Sequence, residues 1–282
     1  MKHYLYKKKN GYTMIVEIIK EGRAVNNYDY EIKEVYASRG DHRIYGLMYI
    51  PQTHQEKLPT VIYSHGFGGS HLSGEAYAKA LAAKGFVVYC YDFCGGSPNS
   101  KSDGKTYEMS IFSEKEDLEA VISMIKGLDY VDTSHLYLLG ASQGGVVSAI
   151  TANSHKEDIQ GMVLLYPAFV LVDDAIKRFE KVENVPERYF HMSMEIGKVY
   201  ASKLFDYDVY KNIKDYDKEV LILHGDQDNI VPLSYSKRAI EVYPNANLIV
   251  IPNGSHGFKE NALDQAINEI IRYFQKKIQE EK

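Results

Sequence analysis

Gly140-Ala141-Ser142-Gln143-Gly144 follows an apolar strand-like run, His135–Leu139, and opens a helical run, Gly145–Ala152. This is G-x-S-x-G set between a strand and a helix, and that setting gives the pattern its meaning. A serine on so sharp a turn holds its hydroxyl clear of the neighbouring strands. Gly140 and Gly144, two residues to either side, let strand and helix approach with no Cβ between them. The helix N-terminus adds the positive end of a dipole beside the hydroxyl. Five such residues occur by chance in many chains. Between a strand and a helix they read as a nucleophile, Ser142, rather than as a structural Gly-rich turn.

A serine hydroxyl is a weak nucleophile without an adjacent base. The chain holds ten histidines. In open α/β sheets the groups that meet a ligand gather at the carboxyl ends of the strands, and His65, His224 and His256 lie there. His256 stands in Asn253-Gly254-Ser255-His256-Gly257-Phe258, a Gly-flanked loop after the last strand-like run, able to swing an imidazole over the nucleophile. His65 and His224 are each followed directly by glycine at a strand end, which favours a structural role. His256 is therefore the candidate base. It needs a carboxylate to fix its tautomer, and His224-Gly225-Asp226-Gln227-Asp228-Asn229-Ile230-Val231-Pro232 offers two, Asp226 and Asp228.

At this loop the chain resembles the α/β-hydrolase superfamily, whose acid loop reads H-G-x-x-D-x-x-V-P. The resemblance assigns the acid to Asp228 and leaves Asp226 as a turn residue, and the order Ser, Asp, His along the chain agrees with it. His65-Gly66-Phe67-Gly68-Gly69 resembles the loop that supplies one oxyanion donor, the backbone N–H of Phe67. The second donor would be the N–H of Gln143. A phosphate-cradling loop is the alternative reading of these glycines, but no lysine follows in P-loop position. Within the superfamily the chain looks most like the bacterial cinnamoyl (feruloyl) esterases. The stretches that carry this are the two glycine loops, the latter extended through Gly145-Val146-Val147, and Tyr91-Asp92-Phe93 followed by Ser102-Asp103-Gly104. The short segment after Tyr166-Pro167-Ala168 also fits. The resemblance implies a serine carboxylesterase acting through an acyl-enzyme on hydroxycinnamoyl or other small aryl esters, with no cofactor and no metal. It runs from about Val35 to the C-terminus. Ala141 stands where many relatives carry histidine, and Cys94-Gly95-Gly96 where they often have Gly-His-Gly. Two other readings remain: an acyl-aminoacyl-peptidase-like hydrolase, which usually carries a large extra domain, and an inactive hydrolase fold used as a binding module.

The flanking chain predicts an α/β fold. Strand-like runs at Thr60–Ser64, Phe86–Asp92, His135–Leu139, Gly161–Tyr166, Glu219–His224 and Asn247–Ile251 alternate with helical patterns. One helical face carries Leu118, Val121, Ile122 and Ile125; another carries Leu263, Ile267, Ile270, Phe274 and Ile278. Short apolar strands between amphipathic helices imply a mostly parallel sheet covered on both faces. The earlier runs, Thr13–Ile19, Tyr28–Ala37 and Arg43–Ile50, read as strands, the alternating ones suited to an antiparallel edge. Residues 1–282 read as one domain with an insertion at about 168–215, rich in Tyr, Phe, Met and charge and without a clear strand. It is expected to form a small cap whose Phe179, Tyr189, Phe190 and Tyr200 suit a flat aromatic acyl group.

The net charge of −5 over 282 residues argues against a nucleic-acid partner. No run is long and apolar enough to span a bilayer, and Met1–Asn10 is basic without an apolar core, so a cytoplasmic protein with no membrane partner is expected. A small-molecule ester is the expected partner, and a homodimer is compatible with the sequence. Cys90 and Cys94 have no second Cys/His pair at zinc-like spacing and read as small buried residues rather than a redox pair or half a metal site. Asp103-Gly104-Lys105-Thr106 imitates a P-loop ending, but Asn99 occupies the first glycine position. Ser64 and His65 are adjacent on a strand and so face opposite ways.

Overall fold

Burial explains which runs became central strands. The computed structural model describes residues 27–280 together with the backbones of two strands, β1 (His3–Lys8) and β2 (Tyr12–Glu17). The other strands of the main sheet are β3 (Tyr30–Arg39), β4 (His42–Pro51), β5 (Leu58–Ser64), β6 (Val87–Tyr91), β7 (Val131–Ala141), β8 (Gly161–Leu165), β11 (Val220–Gly225) and β12 (Ala246–Ile251). Every residue of β6, β8 and β11 is buried, as expected of strands covered on both faces. The expected run Thr13–Ile19 corresponds to β2; its last two residues lie outside the described ones.

The spatial order is β2-β1-β12-β11-β8-β7-β5-β6-β4-β3. The six strands from β12 to β6 are mutually parallel, whereas β4 pairs antiparallel with both β6 and β3. This is a mostly parallel sheet of eight strands with an antiparallel edge, extended at the other side by β1 and β2, both antiparallel.

The helices are α1 (Glu75–Ala82), α2 (Ile111–Lys126), α3 (Gln143–Ser154), α4 (Leu171–Phe179), α5 (Val199–Ser202), α6 (Leu233–Val242) and α7 (Glu260–Glu280). They divide the core between the two faces of the sheet. Along β7, Leu136 and Leu138 join the layer of Leu118, Val121, Val146 and Ala239, while Tyr137 and Leu139 join that of Tyr77, Leu81, Ile270 and Phe274. The period of two along the strand produces this split. Chain order runs β5 to β6 on one side of β5, then crosses back to β7 on its other side. The carboxyl ends of β5 and β7 therefore flank the point where an open sheet leaves a crevice.

Between β8 and β11 lies the insertion. It corrects one expectation, that no strand would occur there. Arg188–His191 (β9) and Met194–Gly197 (β10) form a two-stranded hairpin outside the main sheet. Each strand has only four residues, too short for alternation to register. The turn residues Met192 and Ser193 both adopt positive φ, 45° and 69°, a hairpin geometry normally announced by Asn-Gly or Asp-Gly. Cys90 and Cys94 are free and buried, and burial pushes the Cys94 thiol up to about 12. Among the described residues no helix is long and apolar enough to cross a membrane.

Candidate active site

β7 ends at Ala141, and Ser142 turns the chain into α3 with φ 52° and ψ −117°, a conformation that L-residues rarely adopt. The surroundings over-determine it. Ser142 N–H donates to Leu165 O at 2.9 Å, and Ser142 O accepts from the N–H groups of Gly145 and Ala168, each at 3.0 Å. The flanking glycines are sterically required. A Cβ on Gly144 would lie 2.2 Å from Ser64 O, and one on Gly140 would lie 2.4 Å from Gly144 O. With no side chain in between, α3 presses directly against the end of β5.

His256 Nε2 lies 2.9 Å from Ser142 Oγ, and His256 Nδ1 lies 2.8 Å from Asp228 Oδ2. An ionised carboxylate only accepts, so Nδ1 carries the proton and Nε2 is left to accept from the serine hydroxyl. Asp228 Oδ1 accepts from Ile230 N–H and Val231 N–H, both at 2.9 Å. Burial alone would raise this carboxyl. The donors His224, His256, Val231 and Ile230 outweigh burial and hold it well below the ordinary carboxylate range. His224 is buried; its Nε2–H points at Val231 O at 2.9 Å with Asp228 Oδ2 at 3.3 Å, and its Nδ1 accepts from Ser236 Oγ. It braces the acid loop and is remote from the serine. Asp226 does not reach His256. Its Oδ1 accepts from Asn253 N–H at 2.7 Å and so ties the loop of Asp228 to the loop of His256.

Gln143 heads α3, so its N–H has no acceptor within the helix. Phe67 lies beyond β5, in a turn closed by Gly69 N–H to Gly66 O at 3.0 Å. A Cβ on Gly66 would lie 3.1 Å from Ser142 Cβ, which shows how closely this loop passes the serine. His65 is turned away from Ser142. Its Nε2 accepts from Phe93 N–H and its Nδ1–H donates to Gly66 O at 2.7 Å, so it holds the loop from behind. Ser64 Oγ pairs with Tyr91 OH instead. Among the described residues no group of three or more His, Cys, Asp or Glu side chains is placed to hold a metal ion.

A cavity of about 500 Å³ opens over Ser142 and His256. Phe67, Gln143 and Tyr166 border it from the sheet, and Leu171, Asp174, His191 and Tyr200 from the insertion. Tyr166 packs its ring 4.7 Å from that of His256 and 4.9 Å from Phe258. A second cavity of about 350 Å³ shares Leu171, Asp174, His191 and Tyr200 with the first and adds Phe179 and Tyr189. Three of the four expected aromatics therefore reach these cavities. Phe190 does not: it is 66% exposed. Strand alternation puts Tyr189 and His191 on one face of β9 and Phe190 on the other.

Several polar residues escaped the reading of the sequence. Gln143 Nε2 donates to buried Glu114 Oε2 at 2.7 Å, and Gln143 Oε1 accepts from Tyr200 OH at 2.6 Å. Burial holds the Glu114 carboxyl well above its ordinary range. Partial burial also raises Asp174. His191 is lowered by burial and by Arg178, whose Nη1 points at His191 Nδ1 from 3.3 Å. A signal for Glu114 existed. It falls in step with Leu118, Val121 and Ile125, so it occupies the apolar stripe of α2.

The comparisons with known proteins agree with this framework. Among solved structures the chain is similar to Est1E from Butyrivibrio proteoclasticus with ferulic acid bound: TM-score 0.80, 26% identity, 86% of this chain and 99% of that one. RutD of Caulobacter sp. (strain K31), which carries the name of a carbamate hydrolase, is 22% identical over 253 residues, 76% of this chain and 90% of its own. DcsB, solved with a substrate analogue, shares the fold with a TM-score of 0.74 at 19% identity, over 88% of this chain and all of that one. The model of the Hydrolase_4 family, described as serine aminopeptidase, S33, matches residues 55–207. That match spans more than half of the 282 residues, and with the sheet and its relatives it means that the chain belongs to this family of α/β hydrolases and is similar to the cinnamoyl esterases within the superfamily.

Proposed function

We propose that the protein is a serine carboxylesterase that cleaves hydroxycinnamoyl or other small aryl esters through an acyl-enzyme. The observation that carries the proposal is the hydrogen-bonded series Asp228, His256, Ser142, opening on a cavity with aromatic walls. Ser142 Oγ attacks the ester carbonyl while His256 Nε2 takes its proton. Asp228 keeps the resulting imidazolium in place and stays ionised. The oxyanion forms against the N–H groups of Phe67 and Gln143, fixed donors whose removal one at a time costs on the order of 3 kcal/mol in comparable sites. His256 returns the proton to the departing alkoxide. A water, deprotonated by the same imidazole, then releases the acid from Ser142.

The substrate class is argued from the walls. Tyr200, Phe67 and His191 present ring faces and edges around the cavity, with Phe67 5.0 Å from His191 and 5.6 Å from Tyr200. A flat acyl group is suited to such a slot. A ring hydroxyl needs a polar partner at the far end, and Asp174, common to both cavities, is the candidate. The insertion interleaves charge, as in Lys177-Arg178-Phe179-Glu180-Lys181, which disfavours the broad apolar face a lipase presents to an interface. The insertion acts as the cap over this slot.

The test is kcat/KM on methyl ferulate and chlorogenate against a short aliphatic ester, a long-chain ester and an aminoacyl anilide. A preference of about tenfold for the aryl esters, roughly 1.4 kcal/mol of differential transition-state binding, supports the assignment. A clear win for the short aliphatic ester leaves only a small-ester hydrolase. A win for the anilide favours a peptidase, and absence of labelling of Ser142 by a fluorophosphonate removes the enzymatic reading altogether.

A further inference from the structure

The main cavity is walled by two separate parts of the chain, the sheet loops and the cap, and one side chain of the cap touches the side chains of both Gln143 and Phe67. Tyr200 belongs to α5 in the cap. Its hydroxyl donates to Gln143 Oε1 at 2.6 Å, while its ring meets Phe67 edge-on at 5.6 Å. Gln143 and Phe67 are the two residues whose N–H groups are assigned to the oxyanion hole. We infer that Tyr200 is a positioning residue for both oxyanion donors, so that seating the cap and completing the oxyanion hole are one event.

The polar half of the contact is tightly constrained. Gln143, Glu114 and Tyr200 are 1%, 1% and 5% exposed. Gln143 spends its amide nitrogen on Glu114 at 2.7 Å and its oxygen on Tyr200. Swinging that amide away from Glu114 and Tyr200 would strand buried polar atoms, which costs on the order of 1–3 kcal/mol. The backbone of the same residue begins α3 beside Ser142, so a fixed side chain restrains the peptide that carries the N–H. The apolar half restrains the other donor. Phe67 sits in a loop outside the sheet ladder, with Gly68 beside it at φ 67°, and its ring is held between Tyr200 and His191. His191 in turn lies 5.8 Å from Tyr200, closing a three-ring cluster.

This arrangement differs in its consequence from a wall that merely touches substrate. Wall contacts help only those acyl groups that reach them. An oxyanion is common to every ester, so a residue that aligns its donors affects large and small acyl groups alike, and affects kcat more than KM.

The inference rests on the serine-hydrolase reading above, and the experiment separates the two. Wild type, Tyr200→Phe and Gln143→Met are compared on p-nitrophenyl acetate and methyl ferulate, with Tyr207→Phe, a cap tyrosine packed on Phe112 away from the cavity, as the control. Tyr200→Phe removes one hydroxyl and keeps the ring; Gln143→Met keeps the N–H and removes both side-chain bonds. The expected result is a loss of kcat of about tenfold or more on both esters with KM within about twofold. Inhibition by an aryl boronate, which mimics the tetrahedral state, should weaken by the same factor. Adding Tyr200→Phe to Gln143→Met should cause little further loss, because the partner is already gone. If Tyr200→Phe slows only methyl ferulate, Tyr200 is a specificity wall and the inference is overturned. Unchanged kcat and boronate affinity overturn it as well. Near-ultraviolet circular dichroism checks folding; should Tyr200→Phe lose its tertiary signal, Gln143→Met carries the test. If wild-type Ser142 takes no fluorophosphonate label, the failure belongs to the serine-hydrolase reading instead.

Discussion

Replacing Asp228 by Asn changes one atom, and the surrounding hydrogen bonds dictate the outcome. Ile230 and Val231 both direct N–H groups at Oδ1 from 2.9 Å. In the variant that position must be the amide oxygen, since an NH₂ there would face two donors. The NH₂ is then forced toward His256 Nδ1, which lies 2.8 Å from Oδ2 in the native protein. It can only donate, so Nδ1 becomes the acceptor and the imidazole proton moves to Nε2, where it points at Ser142 Oγ. The base is blocked by its own proton. His224 Nε2–H, 3.3 Å from the same atom, now also faces a donor. In serine proteases the equivalent change lowers kcat about 10⁴-fold, and that loss corresponds to about 5.4 kcal/mol of barrier. Asp226→Asn is the paired control. Its Oδ1 accepts one N–H, from Asn253, at an exposed site, and an amide oxygen can accept the same bond, so a loss within about threefold is expected, less than 1 kcal/mol. The assay is the initial rate on p-nitrophenyl acetate and methyl ferulate at pH 7 to 8, with thermal melting to verify folding. If Asp226→Asn proves the more damaging change, or Asp228→Asn stays within about tenfold of wild type, the tautomer argument is wrong.

Further outcomes follow from the same geometry. Ser142→Ala should abolish turnover and fluorophosphonate labelling, whereas Ser142→Gly should also relieve the φ 52° backbone and be the more stable of the two by about 1–2 kcal/mol in urea unfolding. Gly144→Ala puts a Cβ 2.2 Å from Ser64 O and should cost about 3 kcal/mol, read as a fall in Tm, or fail to fold. The Glu114 carboxyl is raised in the folded state, so as pH rises above its unfolded pKa of about 4.3 the unfolded chain gives up a proton that the folded one keeps, and stability falls. Glu114→Gln should therefore be more stable than wild type at pH 7 to 8, with the advantage vanishing below about pH 4; an advantage independent of pH would show that Glu114 is ionised in the fold. Asp228 has the opposite sign: its carboxyl is depressed, so its contribution is present at neutral pH and lost as pH falls below about 4, and Asp228→Asn should flatten the acid limb of the unfolding curve. Phe179→Ala should change the ratio of aryl to acetyl ester turnover more than Phe190→Ala, whose ring faces solvent.

The sheet and the four loops around Ser142 could be read from the chain because each depends on local covalent facts. A glycine two residues from Ser142 on either side, a continuous apolar run in each parallel strand, and a carboxylate and an imidazole at strand ends are all visible as letters. The hairpin Arg188–Gly197 could not be read this way. Its strands are too short to display a period, and its turn uses Met192 and Ser193 at positive φ where the common signal would be glycine. Nor could the carboxylate partner of His256 be chosen by residue type alone: Asp226 and Asp228 are the same residue two positions apart, and only the resemblance separated them. Glu114 sat in plain view on the apolar stripe of α2, but its partner is the side chain of Gln143, whose own second partner, Tyr200, lies on an insertion whose docking depends on tertiary packing.

Leu171, Asp174, His191 and Tyr200 of the cavity wall all come from one uninterrupted stretch between β8 and β11, whereas Phe67, Ser142, Asp228 and His256 follow the ends of β5, β7, β11 and β12. Recombination that exchanges that stretch has only two seams to heal, one beside Ala168, whose N–H holds Ser142 O, and one beside Tyr216, whose hydroxyl donates to Ile159 O. A chimera made at those seams would inherit an intact Asp228, His256 and Ser142 and could acquire a new substrate range in a single step. It would also lose Tyr200. A transplanted segment with no hydroxyl donor opposite Gln143 would leave a buried amide oxygen unanswered, so libraries of exchanged insertions should be filtered for a residue able to replace that one bond before they are screened for activity.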